Sequence, residues 1–166
     1  LLTVPQVAES WDKRFARGEI KFALVDGEYE VKEKAKSADN KRKAYVFLNE
    51  IESNREKMID VLTVYGKRPD KNASLEFLTT SIDDIISNPK TIDKFMLIVE
   101  DKHFDKKLFI EKCLEAGALF KNKSKYSLPG GDVIGNSIDE TIEYISNKKN
   151  NEIYATLKAQ VEAFKK

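Results

Sequence analysis

Residues 109–128 read FIEKCLEAGALFKNKSKYSL, and this stretch decides the fold class because a helix runs straight into a hairpin. Ile110, Cys113 and Leu114 keep helical spacing, and Asp105 stands where an N-cap is wanted, so a helix is predicted over Lys106–Ala116 with Gly117 ending it. Ala118 to Phe120 and Lys125 to Leu128 then read as two strands around Asn122-Lys123-Ser124. Pro129-Gly130-Gly131 turns the chain out.

Downstream, Ser137-Ile138-Asp139-Glu140 is a capping box that opens a helix with Ile138, Thr141, Ile142 and Ile145 on one face. A polar break at Asn147 to Asn151 precedes a last helix carrying Ile153, Tyr154, Leu157, Val161 and Phe164. Upstream, Leu75, Phe77, Leu78, Ile82, Ile85 and Ile86 form another apolar face, ended by Asn88-Pro89. Thr91 to Asp101 fits a helix through Ile92, Phe95, Met96 and Val99, while Phe95 to Val99 alone would fit a buried strand. Pro89 at a first-turn position favours the helix. From Ala44 to Leu62 helical spacing persists for about five turns, with Arg55 standing where an apolar residue is expected. Gly66 is placed as its C-cap, and 66–73 reads as a loop.

The N-terminal part reads differently. Thr3-Val4-Pro5-Gln6 resembles a capped helix start, and Val4, Val7, Ala8, Trp11 and Phe15 share a helical face that Gly18 stops. Ile20, Phe22 and Leu24 then alternate with their neighbours. Asp26-Gly27 is a strong type I′ turn signal, so a return strand is predicted over Glu28–Val31. Residues 32–43 are mainly lysine, alanine and polar groups and read as a solvated linker and helix start. Residues 11–31 thereby repeat the helix, glycine, hairpin order of 109–128, a pattern compatible with degenerate duplication and equally with chance, since helix-ending glycine is routine.

The expected fold is α+β and predominantly helical, with about six or seven helices and two short β-hairpins that could act as winged-helix-like units. Residues 1–166 form one compact domain in this view, with lobes 1–66 and 74–166 joined by loop 66–73 as the alternative division.

Composition narrows the function. Basic groups number 29 and acidic groups 28, so the formal charge of +1 excludes a global polycation and leaves only local patches for an anionic partner. One cysteine, Cys113, excludes an intrachain disulfide and fits a reducing, cytoplasmic setting. No apolar run reaches the roughly 18 residues that span a membrane. Residues 1–8 lack the regions of a signal peptide, and Leu1 in place of Met suggests a trimmed chain.

Two basic segments stand out. Lys32, Lys34, Lys36, Lys41, Arg42 and Lys43 face only Glu33 and Asp39 within residues 32–43, an excess of four positive charges. Lys67, Arg68 and Lys71 could extend that track, with Tyr45 and Tyr65 available for base stacking. Lys121, Lys123 and Lys125 sit around the hairpin with no acid in residues 119–131. A solvated surface explains either segment equally simply, because exposed turns and linkers are polar. Residues 74–101 carry six acids against Lys90 and Lys94, an excess of four negative charges that suits a basic protein partner or self-association.

Catalytic constellations are not found. His103, the single histidine, reads as a loop or cap residue, and with Cys113 it cannot make a Cys/His zinc site within one chain. Asp83, Asp84, Asp93, Glu100 and Asp101 lack EF-hand spacing and read as a solvated acidic face. Pro69-Asp70 with Glu100-Asp101-Lys102 imitates a nuclease motif. Acid-x-Lys triplets nonetheless start at Glu19, Glu30, Asp39, Glu100 and Asp105, and about four are expected from composition alone. Cys113 in mid-helix reads as an inert buried thiol, and no nucleophile elbow, P-loop or dinucleotide fingerprint occurs.

Leu2-Thr3-Val4-Pro5-Gln6-Val7-Ala8-Glu9 resembles the opening helix of excisionase and MerR-type winged-helix DNA binders, and Arg17-Gly18-Glu19-Ile20 with the segment through Tyr29 resembles their later strand and wing. The likeness covers residues 2–31 and has no room between Glu9 and Phe15 for the turn and recognition helix, so no DNA-contacting residue is carried over. The lysine- and asparagine-rich character also resembles small phage or mobile-element proteins. A non-enzymatic, regulatory nucleic-acid-binding protein is therefore expected, with DNA or RNA as partner and no cofactor, metal or membrane. A protein-interaction adaptor, inhibitor or assembly factor is the alternative, and a metal-dependent nuclease the distant third.

Overall fold

A computed structural model describes residues 6–8, 11–23 and 27–164, and among them seven α-helices and two small sheets make a predominantly helical α+β protein. Helices α1 (Gly27–Ile51), α2 (Arg55–Tyr65), α3 (Leu75–Ser87) and α4 (Ile92–Val99) enclose a first core. Its centre is Met58, Leu62, Leu78, Ile82, Ile86, Ile92 and Phe95, all essentially without solvent contact. Of the face read for α3, Leu78, Ile82, Ile85 and Ile86 are buried while Leu75 and Phe77 are exposed, and the segment 91–101 holds the expected helix, over Ile92–Val99, with Pro89 ahead of its first turn.

A second core lies in the C-terminal half. Helix α5 (Phe104–Glu115) leads into a three-stranded antiparallel sheet of β3 (Phe120–Asn122), β4 (Lys125–Ser127) and β5 (Val133–Gly135), followed by α6 (Ile138–Ser146) and α7 (Asn151–Phe164). Ile110, Cys113, Leu119, Tyr126, Ile142 and Leu157 are its buried centre. The β3–β4 hairpin is the expected one. The third strand is not in the sequence reading, because Asp132 to Gly135 offers only Val133 and Ile134 as strand formers.

Caps explain where the helices start. Asn54 Oδ1 accepts from the Lys57 backbone N–H at 3.1 Å, so the helix expected to run unbroken from Ala44 to Leu62 is divided after Ile51. Arg55 is then the first residue of a new helix, which removes the anomaly of a charge on an apolar face. Ser137 Oγ accepts from the Glu140 N–H at 3.2 Å, while the Glu140 carboxylate accepts from Asn136, one residue earlier than an ideal box would have it. Asp105 is not the cap of α5. It lies inside the first turn, and Asp101 accepts from the His103 N–H at 2.7 Å to set up the start.

The N-terminal expectations fail. Val7–Ala8 is a short strand, β1, paired in parallel with β2 (Phe22–Ala23), and a 3-10 turn over Trp11–Phe15 lies in the crossover between them. The predicted opening helix is therefore absent at 7–8; its capping residues at 3–5 lie outside the described residues. Phe15, expected on an apolar face, is exposed. The predicted first hairpin is absent too. Asp26 is outside the described residues, and Gly27 begins α1, which runs through the supposed return strand and the supposed linker at 32–43. Glu28 lies four residues before Lys32 and Asp39 four before Lys43, and both pairs form ion pairs; this order supports a helix over a strand. The proposed duplication of 109–128 at 11–31 accordingly has no counterpart among the described residues, where helix α1 takes the place of the return strand.

The two cores meet through α2, which packs on α3 and α4 on one side and on α5 on the other. Lys112 pairs with Asp60 at 2.8 Å, Arg68 with Glu111 at 3.5 Å and Lys71 with Glu115 at 3.9 Å across this junction. Loop 66–73 thus follows the seam between the cores, and the helices on either side of it, α2 and α3, share the first core.

Candidate nucleic-acid interface

Among its described side chains, helix α1 buries apolar groups only from Ala44 onward. Ala44, Leu48 and Ile51 are buried, and the same face continues back through Asn40 and Ser37, which are half-buried; Asn40 donates to Asp93 of α4 at 2.8 Å. No side chain from Val31 to Lys43 is buried. Lys32, Lys34, Lys36, Lys41, Arg42 and Lys43 are all exposed, and at 3.6 residues per turn they encircle the helix instead of forming a stripe. Lys32 is tied to Glu28 at 3.3 Å and Lys43 to Asp39 at 3.0 Å; the Asp39 carboxylate raises the Lys43 pKa by hydrogen bonding and by its charge.

The segment expected to extend this track has another use. Arg68 and Lys71 make the seam ion pairs with α5, and the Lys71 ammonium lies 4.6 Å from the Phe164 ring centroid. Lys67 is exposed beside them. Arg68 and Lys71 line a cleft of about 100 Å³ together with Asp60, Thr63, Lys112 and Glu115, and each of its three cations has a carboxylate partner, so it is not a positive groove. The two tyrosines suggested for stacking are also occupied. Tyr45 donates to Asp83 at 2.7 Å, and Tyr65 packs on Phe95 with the Lys94 ammonium 4.4 Å from its ring centroid.

The hairpin is the part of the surface with one sign of charge. Gly117, at φ 69°, lets the chain leave α5 in a left-handed conformation, and Leu119, two residues on, drops into the second core. Phe120 pairs across with Ser127 and Lys121 with Tyr126, while Ser127 pairs onward with Val133. Cross-strand partners share a face, so Tyr126, 2% exposed, marks the inner face. Phe120, Ser127 and Val133 make a row on the outer face, and Asn122 and Lys125 make the next one. Phe120 is 53% and Val133 55% exposed. Lys121 lies over the edge of Tyr126, its ammonium 5.2 Å from the ring centroid, and Lys123 occupies the turn at φ 55°.

Comparison with protein-family models, curated proteins and solved structures finds no match. The geometry alone therefore carries the functional argument.

Three of the six acids in residues 74–101 are engaged by separate partners. Asp83 accepts from Tyr45, Asp93 from Asn40, and Asp101 from the Lys107 ammonium and the His103 N–H. No three Asp, Glu, His or Cys side chains among the described residues are placed to hold a metal. The nuclease imitation does not assemble: Asp70 Oδ1 accepts from the Asn72 N–H within its own loop, and Asp101 is engaged as above. Cys113 is fully buried, and burial pushes its thiol up to about 12. No helix among the described residues is long and apolar enough to cross a membrane.

Phe120 is the residue that sequence reasoning missed. Phe120 sits beside Leu119 in what reads as an apolar run. The signal lay in strand alternation: once Leu119 points inward, its neighbour must point out.

Proposed function

We propose that this chain is a non-enzymatic, regulatory nucleic-acid-binding protein of the cytoplasm, in the manner of small phage proteins. It contacts phosphates through the exposed cations of α1 and of the β3–β4 hairpin. The observation that carries this is the hairpin, where Lys121, Lys123 and Lys125 are exposed within residues 116–131, a stretch without an acid. Cations at a projecting tip are what phosphate contacts need, and they position a nucleic acid without reading its sequence. The alternative, an adaptor that uses an acidic face of α3 and α4, is weakened because Asp83, Asp93 and Asp101 are spent on internal partners.

An electrophoretic shift assay with mixed DNA and RNA at low salt tests the proposal. Retardation is expected, weakening steeply as salt rises. Replacing Lys121, Lys123 and Lys125 together by Ala should flatten the log–log salt slope by about two to three. No shift with any nucleic acid would overturn the proposal. A partner captured from a lysate through the acidic side of α3 would then favour the adaptor.

A further inference from the structure

We infer that the outer face of the β3–β5 sheet is a stacking platform for unpaired bases, which makes the ligand a single-stranded nucleic acid and not a duplex. This rests on the nucleic-acid proposal above and narrows it. The face presents Phe120 and Val133 across β4, with Ser127 between them and Asn122 and Lys125 in the adjoining row. Neighbouring strands lie about 4.8 Å apart, so the two apolar groups stand roughly 10 Å from each other across a polar floor. Base faces are hidden inside a duplex but open in a single strand, and an exposed aromatic ring beside lysines rewards only the second.

The charge pattern excludes a simpler explanation. Lysine on an edge strand commonly serves to stop edge-to-edge pairing, and that would account for Lys121 on β3. It does not account for Lys125, which lies on the central strand β4, on the same face as Phe120. Nor does it account for Lys123, held at a positive φ where glycine or asparagine would be easier. Both cations lie on the hairpin-tip side of the apolar row, where they can meet the phosphates next to a stacked base.

The test is fluorescence anisotropy on labelled single-stranded DNA, single-stranded RNA and the matching duplex, with the full chain at low salt. Single strands should bind more tightly than the duplex. Phe120→Ala should weaken them about tenfold while leaving duplex binding unchanged, and Phe120→Tyr should keep the affinity. A circular dichroism melt of each variant checks that the exposed position leaves folding intact. Preference for the duplex, or equal loss on both ligands in Phe120→Ala, would overturn the inference and leave the nucleic-acid proposal standing. So would Phe120→Ala abolishing self-association in analytical ultracentrifugation while single-strand binding is kept. Absence of binding to all three ligands would overturn both.

Discussion

Single side chains set limits that experiment can read directly. A Cβ on Gly135 would clash with Thr141 Oγ1 and meet the Thr141 backbone nitrogen at 2.7 Å, because β5 runs against the first turn of α6. Thr141 has nowhere to go: it is fully buried and donates to the Ser137 carbonyl at 2.8 Å. Gly135→Ala should therefore lower stability by about 2–3 kcal/mol, read from the urea midpoint. Lys123 is the opposite case, a side chain retained where the backbone disfavours it. Lys123→Gly relieves the left-handed strain and loses more chain entropy, for a net gain below about 1 kcal/mol. Thermal unfolding should show that small rise while low-salt nucleic-acid affinity falls. A fall in both would mean that Lys123 is held by contacts and not by function. Cys113 is the third limit. With its thiol pushed up to about 12 by burial, it should stay unmodified by a thiol reagent at pH 8 until denaturant opens the second core.

Elements are joined by local polar devices whose pH dependence has a definite sign. Asp101 sits between α4 and α5, accepting from the His103 N–H and from Lys107, and these two interactions hold its carboxyl below the ordinary value of 3.8. A folded pKa below the unfolded one contributes stability that is complete above the unfolded pKa and is lost as pH falls through the folded value. Asp101→Asn should cost about 1–2 kcal/mol at pH 7, and the gap to the unmodified chain should close on acidification below 3.8. A gap that stays constant with pH would show that packing, and not the carboxylate, joins these helices. The same scale shows what the sequence made legible. Helices α3, α4, α6 and α7 and the β3–β4 hairpin could be read because their apolar residues repeat at fixed spacing and Asn88 and Ser137 punctuate them. The first half of α1 could not, because an exposed helix has no apolar stripe, and Asp26-Gly27 offered a turn signal of greater local strength. Only the pairing of Glu28 with Lys32 and Asp39 with Lys43 marked it as helical. Of the candidate site, the hairpin lysines were legible as charge. The open sheet face was not, since β5 is too short to announce itself and Val133 joins Phe120 on that face only when β4 and β5 pair.

At the scale of the whole molecule, the question is whether the two cores unfold together. Helix α2 buries Met58, Val61 and Leu62 in the first core and carries Asp60 toward Lys112 of the second, so loosening either core strips one side of the same helix. Of the seam pairs only Lys112–Asp60 is largely shielded from solvent. Arg68 and Lys71 are well exposed, and such pairs contribute little. Coupling must come from the packing of α2 on α5, which removes apolar surface from water on both elements. Leu119→Ala, deep in the second core, should cost about 2–5 kcal/mol. If packing couples the cores, that loss should lower protection from hydrogen exchange in α3 as well as in α6. Circular dichroism should then keep one transition, shifted as a whole. Two separated transitions, with α3 protection unchanged, would instead show that the hairpin and its helices fold as an independent unit on a stable four-helix base. The binding face would then sit on a part of the chain that can open without unfolding the rest.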